Sequence, residues 1–202
     1  MMKILVTGSA GQLASAIVRE FSGVADVLAL SRAQLDIADS RAVSDRVRAE
    51  KPDVIVNCAA YNDVDGAEGE PAASLTANAF GVRTLGRAAG EIGASFVHYS
   101  TDFVFDGRAS RPYSEEDAPN PLGVYASSKL IGEWFALEVP RALVLRVESL
   151  FGGRPAKSSI DRIVEAIASG REAKVFVDRT VSPSYVDDVA TATRVLIERG
   201  RS

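Results

Sequence analysis

The sequence predicts an α/β fold built on a doubly wound parallel sheet. Two observations predict it. Short apolar runs rich in β-branched residues alternate with longer segments of helical period, as in consecutive βαβ units. The first run also passes without a gap into a glycine-containing turn that opens a helix. In chain order, residues 3–7 read as the first strand and 11–21 as its helix. Residues 27–30 follow as the second strand, then 42–50 as a helix that Asp39 or Ser40 can cap. Lys51-Pro52 ends that helix, and Val54-Ile55-Val56 is a buried strand. A long helix is expected over 71–93, a strand over 95–99, a helix over 124–137 and a strand over 142–147. Residues 107–121 are rich in Pro, Gly, Ser and acidic side chains and have no period, so they read as a surface loop. After Gly152-Gly153 come a helix over 159–168, a strand over 173–177 and a last helix over 186–198.

Composition narrows the function. A chain of 202 residues can bury one sizeable core. Its formal net charge of -4 supplies no basic field for nucleic acid or anionic lipid. Cys58 is the one cysteine and His98 the one histidine. That excludes a disulfide framework, a Cys-rich zinc site and a His-based triad, so no metal is expected. Cys58, inside the apolar run 54–60, reads as a small buried hydrophobe rather than a nucleophile. No stretch has the apolar length of a signal peptide or a membrane span, so a cytoplasmic location and no membrane partner are expected.

The turn Gly8-Ser9-Ala10-Gly11-Gln12-Leu13-Ala14 carries the first chemical signal. Gly8 permits a tight turn, Gly11 lets backbone approach a pyrophosphate at the helix N-terminus, and Ala14 permits close helix–strand packing. Such a glycine pattern also occurs in ordinary strand–helix turns. Its place at the start of a βαβ chain marks a Rossmann-type dinucleotide-binding unit. At the end of the second strand stand Ser31 and Arg32. A free ribose hydroxyl usually meets an acid here and a 2′-phosphate an arginine, so Arg32 favours NADPH over NADH. The alternative is a solvated surface arginine.

Tyr125-Ala126-Ser127-Ser128-Lys129 sets a phenol and an ammonium one helical turn apart on one face. A cation near a phenol favours the phenolate and is expected to lower its pKa toward working pH. Ser100-Thr101 follows the preceding apolar strand, where ligands gather in α/β sheets, and a hydroxyl there can hold a carbonyl oxygen beside Tyr125.

Taken with Asn57-Cys58-Ala59-Ala60-Tyr61 and Tyr99-Ser100-Thr101-Asp102, these motifs resemble the extended short-chain dehydrogenase/reductases. Leu35-Asp36-Ile37, Val64-Asp65-Gly66-Ala67-Glu68, the run from Ser100 to Gly107 and Pro121-Leu122-Gly123-Val124-Tyr125 more narrowly resemble the dTDP-4-dehydrorhamnose reductase family. That resemblance implies that Gly11, Gln12 and Leu13 cradle the pyrophosphate and that Asp36 and Ile37 border the adenine. It sets Ala60, Tyr61, Asn62 and Tyr99 along the cofactor. Tyr125 would donate the proton, Lys129 would grip the nicotinamide ribose, and Thr101 and Asp102 would contact the sugar. It also implies a nucleotide-sugar substrate and admits a homodimer.

Two departures from the family pattern stand out. Ser149, in Arg146-Val147-Glu148-Ser149-Leu150-Phe151, occupies the place of an aromatic substrate contact. The chain also ends one helix after Val181–Ala190, where family members continue. The expectation is therefore a dinucleotide-binding domain over 1–150 and a small, incomplete substrate lobe with a returning helix over 151–202. Tight cofactor binding but weak or undetectable reduction of sugar nucleotides is expected. A 4,6-dehydratase is the enzymatic alternative, but Phe103 stands where those enzymes carry a carboxylate; other sugar-nucleotide epimerases belong to the same group. A non-catalytic NADP-binding regulatory subunit resembling the methionine adenosyltransferase β-subunit is the alternative from another class.

Overall fold

The computed structural model describes residues 1–156, 158–173, 175 and 180–200. Its centre is one sheet of five parallel strands: β1 (Lys3–Thr7), β2 (Asp26–Leu30), β3 (Val54–Asn57), β4 (Ser95–Thr101) and β5 (Ala142–Val147). Their order is β2-β1-β3-β4-β5. The chain winds outward from β1 in one direction and from β3 in the other. The crevice at the carboxyl ends of β1 and β3 is thus the switch point where such sheets bind ligands.

Both faces of the sheet are covered, and successive side chains alternate between two cores. Ile4, Val6, Val54, Val56, Val97 and Tyr99 pack with α1 (Gln12–Phe21). Leu5, Ile55 and Phe96 pack on the opposite face with α2 (Ser40–Glu50). Each fully buried aliphatic side chain contributes roughly 1.5–3 kcal/mol. Asp39 caps α2, accepting from the amides of Arg41 and Ala42, and Lys51 ends it with φ +47.

Two helices differ from the sequence expectation. α3 (Val64–Gly69) is a short helix capped by Asp63 within a segment read only as a motif. The single helix expected over 71–93 is instead α4 (Pro71–Leu75), a π turn (Thr76–Phe80) and α5 (Gly81–Ile92). The wider π turn lets Asn78 bond both ways with the Tyr61 backbone, donating to its carbonyl at 3.0 Å and accepting from its amide at 2.9 Å. It also brings the Asn78 carbonyl so close to α6 (Val124–Leu137) that only glycine fits opposite: a Cβ on Gly132 would lie 2.2 Å from that oxygen.

Beyond β5, the chain forms α7 (Ser159–Ala168), started by a Ser158–Asp161 capping box, and α8 (Val186–Arg199). α8 packs along α1, and its Val186, Ala190 and Ile197 complete the first core. Most of the strand expected over 173–177 falls outside the described residues. Among the described residues no helix is long and apolar enough to cross a membrane.

Candidate active site

The sequence-derived candidates cluster at or just past the carboxyl ends of the strands and in the first turns of the neighbouring helices. Gly8 leaves β1 with φ +69, and a Cβ there would meet backbone atoms of Cys58 and Ala59 at 2.7–2.8 Å. The turn after β1 is therefore pressed against the turn after β3. The Gly11 amide donates to the Gly8 carbonyl at 2.9 Å, and α1 starts from Gly11 without a side-chain cap. An uncapped N-terminus beside glycines is a fitting cradle for a diphosphate. Leu13 is buried in the core, so only its backbone faces that cradle.

Gln12 is committed elsewhere. Its amide donates to the Gly152 carbonyl and, at 3.0 Å, to Asp161, which also accepts from the Gly152 amide at 3.1 Å. The phosphate turn is thereby tied to the loop after β5. Asn57 braces the strand ends from below. Its Oδ1 accepts from Thr7 and the Ala59 amide, and its Nδ2 lies 3.1 Å from His98 Nδ1.

At the end of β2, Ser31 bonds to Gln34 through both its amide and its hydroxyl at 2.9 Å. Arg32 stands with its side chain 88% exposed and paired at 3.2 Å with Asp36. Asp36 accepts the Ala38 amide at 3.0 Å; that bond, then Arg32, holds its carboxyl below the usual range against a desolvation penalty. Ile37 is buried beneath Gly81. Tyr61 bonds Glu70 through its hydroxyl at 3.1 Å, and Asn62 is exposed.

The acid–base group assembles where α6 crosses the end of β4. Gly123 starts α6 without a side chain, and Glu68 of α3 takes over the cap, accepting the Val124 amide at 2.8 Å. One turn on, Ser128 donates to the Tyr125 carbonyl at 2.7 Å and accepts from Asn78 at 3.0 Å. The Tyr125 hydroxyl lies near Thr101, which favours its ionised form, and Phe103 meets its ring edge-on with centroids 6.1 Å apart. Thr101 donates to Asp102 at 3.0 Å and accepts the Phe103 amide at 3.2 Å. Lys129 is buried and donates to the Tyr99 carbonyl at 2.6 Å. The Tyr99 side chain lies in the core, its hydroxyl 2.7 Å from Thr193 of α8, so Tyr99 serves the site through its backbone.

The electrostatics correct one expectation. The Tyr125 phenol is not lowered: burial pushes it up to about 12, and the Asp102 carboxylate adds to the rise against the lowering influence of Thr101. Lys129 spends its hydrogen bond on the Tyr99 carbonyl, and burial brings its own pKa down to about 8. Tyr125 is thus a protonated acid at neutral pH. Since Asp102 opposes phenolate, Asp102→Asn is expected to bring Tyr125 ionisation down from about 12 by about half a unit to one unit. Tyrosinate absorbance against pH, assigned with Tyr125→Phe, measures this, and an unchanged midpoint would count against the coupling.

Comparison with known proteins places this geometry. The family model described as RmlD substrate binding domain matches residues 2–202. The chain belongs to that family. A dTDP-4-dehydrorhamnose reductase from Mycobacterium tuberculosis is 40% identical over 204 residues, covering 98% of this chain and 66% of the relative. The RmlD-family chain therefore spans about two thirds of that relative's length. A dTDP-4-dehydrorhamnose reductase structure from Clostridium acetobutylicum superposes with a TM-score of 0.94 at 33% identity, covering 99% of this chain and 71% of that one. Another, from Bacillus anthracis and in complex with NADP, also gives 0.94, at 30% identity and 99% and 72% coverage.

Within this RmlD-family chain, Ser149 leaves β5 exposed and with φ +44, a left-handed conformation uncommon outside glycine. Its neighbour Glu148 accepts the Ser182 amide at 2.8 Å. Burial raises the Glu148 carboxyl against the Ser182 amide bond, and Asp102, at the exit of the paired strand β4, raises it further. Glu148, Asn78 and the Glu68 cap were not singled out as functional from sequence. Glu68 ends the motif 64–68, but its partner lies 56 residues away. Burial likewise holds the Cys58 thiol well above its usual range, which suits an inert side chain.

Proposed function

We propose that this chain binds NADPH, or NADH, across the β1–β3 crevice and acts in reducing a keto-deoxysugar nucleotide, as a dTDP-4-dehydrorhamnose reductase would. Residues 1–150 form the dinucleotide-binding domain in this reading, and 151–202 contribute substrate-lobe elements and the returning helix. The observation that carries it is the meeting of Tyr125, Thr101 and Lys129 at the end of β4, beside the glycine turn that Cys58 and Ala59 backbone press against. The NADP complex of the Bacillus anthracis relative supports the cofactor.

Bound NADPH would supply the hydride. Gly8, Gly11 and the backbone of Gln12 and Leu13 would hold its pyrophosphate, Ser31, Arg32, Asp36 and Ile37 its adenosine end, and Ala60, Tyr61 and Asn62 its middle. Lys129 has two N–H donors beyond the one given to Tyr99, suited to ribose hydroxyls. Thr101, Asp102 and the Ser149 turn would receive the sugar. Tyr125, protonated at neutral pH, would release its proton to the carbonyl oxygen as negative charge develops there.

NADPH oxidation in the presence of dTDP-4-keto-6-deoxy sugars tests the reading. Cofactor binding without turnover, together with a co-purifying enzyme, would favour the regulatory-subunit alternative. A homodimer is the proposed assembly, supported by exposed Phe80, Trp134 and Leu137 on the π turn and α6; sedimentation tests it. Arg32 would exchange Asp36 for the 2′-phosphate. Arg32→Ala is expected to narrow the NADPH-to-NADH affinity ratio about tenfold. An unchanged ratio in calorimetry would leave Arg32 a surface charge.

A further inference from the structure

We propose that Glu133 is a positioning residue for Lys129: a buried carboxylate that keeps the lysine ammonium charged, with a strength set by the Arg146 guanidinium that shares it. Tyr125, Lys129 and Glu133 follow one another at four-residue steps, on one face of α6. Lys129 and Glu133 are each only 3% exposed. The Glu133 carboxylate takes two hydrogen bonds from Arg146 of β5, at 2.9 Å from Nε and 2.7 Å from Nη2. The guanidinium in turn lies over the Phe105 ring, 4.9 Å from its centroid. Positive, negative and positive groups thus run in series from β5 to the centre of the site.

Stability alone is a weak reason for such an arrangement. A buried ion pair costs desolvation that apolar side chains of similar volume avoid. Its neighbour gives the better reason. A fully buried ammonium with one carbonyl acceptor tends to lose its proton, and burial already brings Lys129 down to about 8. Glu133 is the largest influence opposing that fall, followed by Cys58.

The other elements packed on α6 add little to this balance. His98 of β4 faces Lys129 but is held neutral by burial and by Lys129 itself. Glu68 of α3 sits at the first turn of α6, and Asp102 acts on Tyr125. Arg83 of α5 lies over Phe135, while α4 and the π turn carry no titratable side chain. Glu133 is therefore the countercharge, and Arg146 draws part of its field away. The charge state of Lys129 stands by itself; its consequence for cofactor binding rests on the function proposed above.

The two partners make opposite predictions. Glu133→Gln should move Lys129 titration down by about one pH unit, and Arg146→Gln should move it up by releasing the carboxylate to the lysine. The measurement is ¹³C NMR of lysine-labelled protein without cofactor, with Lys129 assigned by its loss in Lys129→Met. A merely structural pair would not shift the midpoint in opposite directions. An unmoved midpoint in Glu133→Gln, or shifts of the same sign in both variants, would overturn the proposal. If Glu133→Gln does not fold, Arg146→Gln carries the test alone: a rise supports the proposal, and a fall or no change overturns it. NADPH affinity against pH is read in parallel. Lys129 shifts without a matching change in affinity would leave the inference standing and remove the ribose role of Lys129.

Discussion

Tyr125→Phe should lower the turnover of NADPH with a keto-sugar nucleotide by roughly 10²–10⁴-fold, the range for removing a positioned acid, relative to the parent chain assayed alongside. The substitution removes one oxygen and little else. The ring keeps its edge-on contact with Phe103 at 6.1 Å. Thr101 loses a neighbour but still donates to Asp102 at 3.0 Å, so no buried hydroxyl is orphaned. Lys129 is anchored to the Tyr99 carbonyl rather than to the phenol, so the cofactor's grip should survive. The loss should therefore fall on kcat, with NADPH affinity within about twofold of the parent. Steady-state kinetics and calorimetry on the same preparation separate the two. A phenylalanine enzyme retaining more than about a tenth of the parent turnover would remove Tyr125 from the proton-donor role.

That prediction uses a helix face read directly from sequence, and much of the frame was legible in the same way. β-branched runs such as Val54-Ile55-Val56 marked the strands because a strand buried on both faces must be apolar throughout. Asp39 marked the start of α2 because a side-chain oxygen there meets free amides. The π turn at Thr76–Phe80 left no trace, since its residues fit a helical period and the extra residue is held by Tyr61 and Ser128, far off in the chain.

Charges were hardest to read. Spacing suggested that Lys129 lowers the Tyr125 phenol, but spacing cannot show that the ammonium points to the Tyr99 carbonyl or that Asp102 raises the phenol. Glu133 and Arg146, thirteen residues apart, form a bidentate pair only once α6 lies across β5. Polar function that depends on tertiary neighbours is what one-dimensional patterns lose.

The glycine turn offers the sharpest separation of fold from binding, because its two glycines are required for different reasons. Gly8 has φ +69, which costs another residue about 1–2 kcal/mol, and a Cβ there would press on Ala59 and Cys58 backbone at 2.7–2.8 Å. Backbone cannot rotate away as a side chain can, so the ends of β1 and β3 would have to part. Gly8→Ala should therefore cost roughly 3–5 kcal/mol, a large share of the ~5–15 kcal/mol that holds a domain together. The melting temperature should fall by about 10 °C or more.

Gly11 has the extended φ of -85, open to any residue, and among the described residues the only close neighbour of a Cβ is the Gly8 carbonyl at 3.1 Å. Gly11→Val should stay folded, losing roughly 1 kcal/mol because valine is a poorer N-cap than glycine. Its side chain would stand where the helix N-terminus must approach a diphosphate. NADPH affinity should fall by on the order of 2–4 kcal/mol, about 30- to 1,000-fold. Thermal unfolding and calorimetry on both variants give four numbers that must sort this way. A Gly8→Ala protein as stable as the parent would contradict the turn geometry. A Gly11→Val protein that is folded and binds NADPH undiminished would show that the pyrophosphate does not cross this turn.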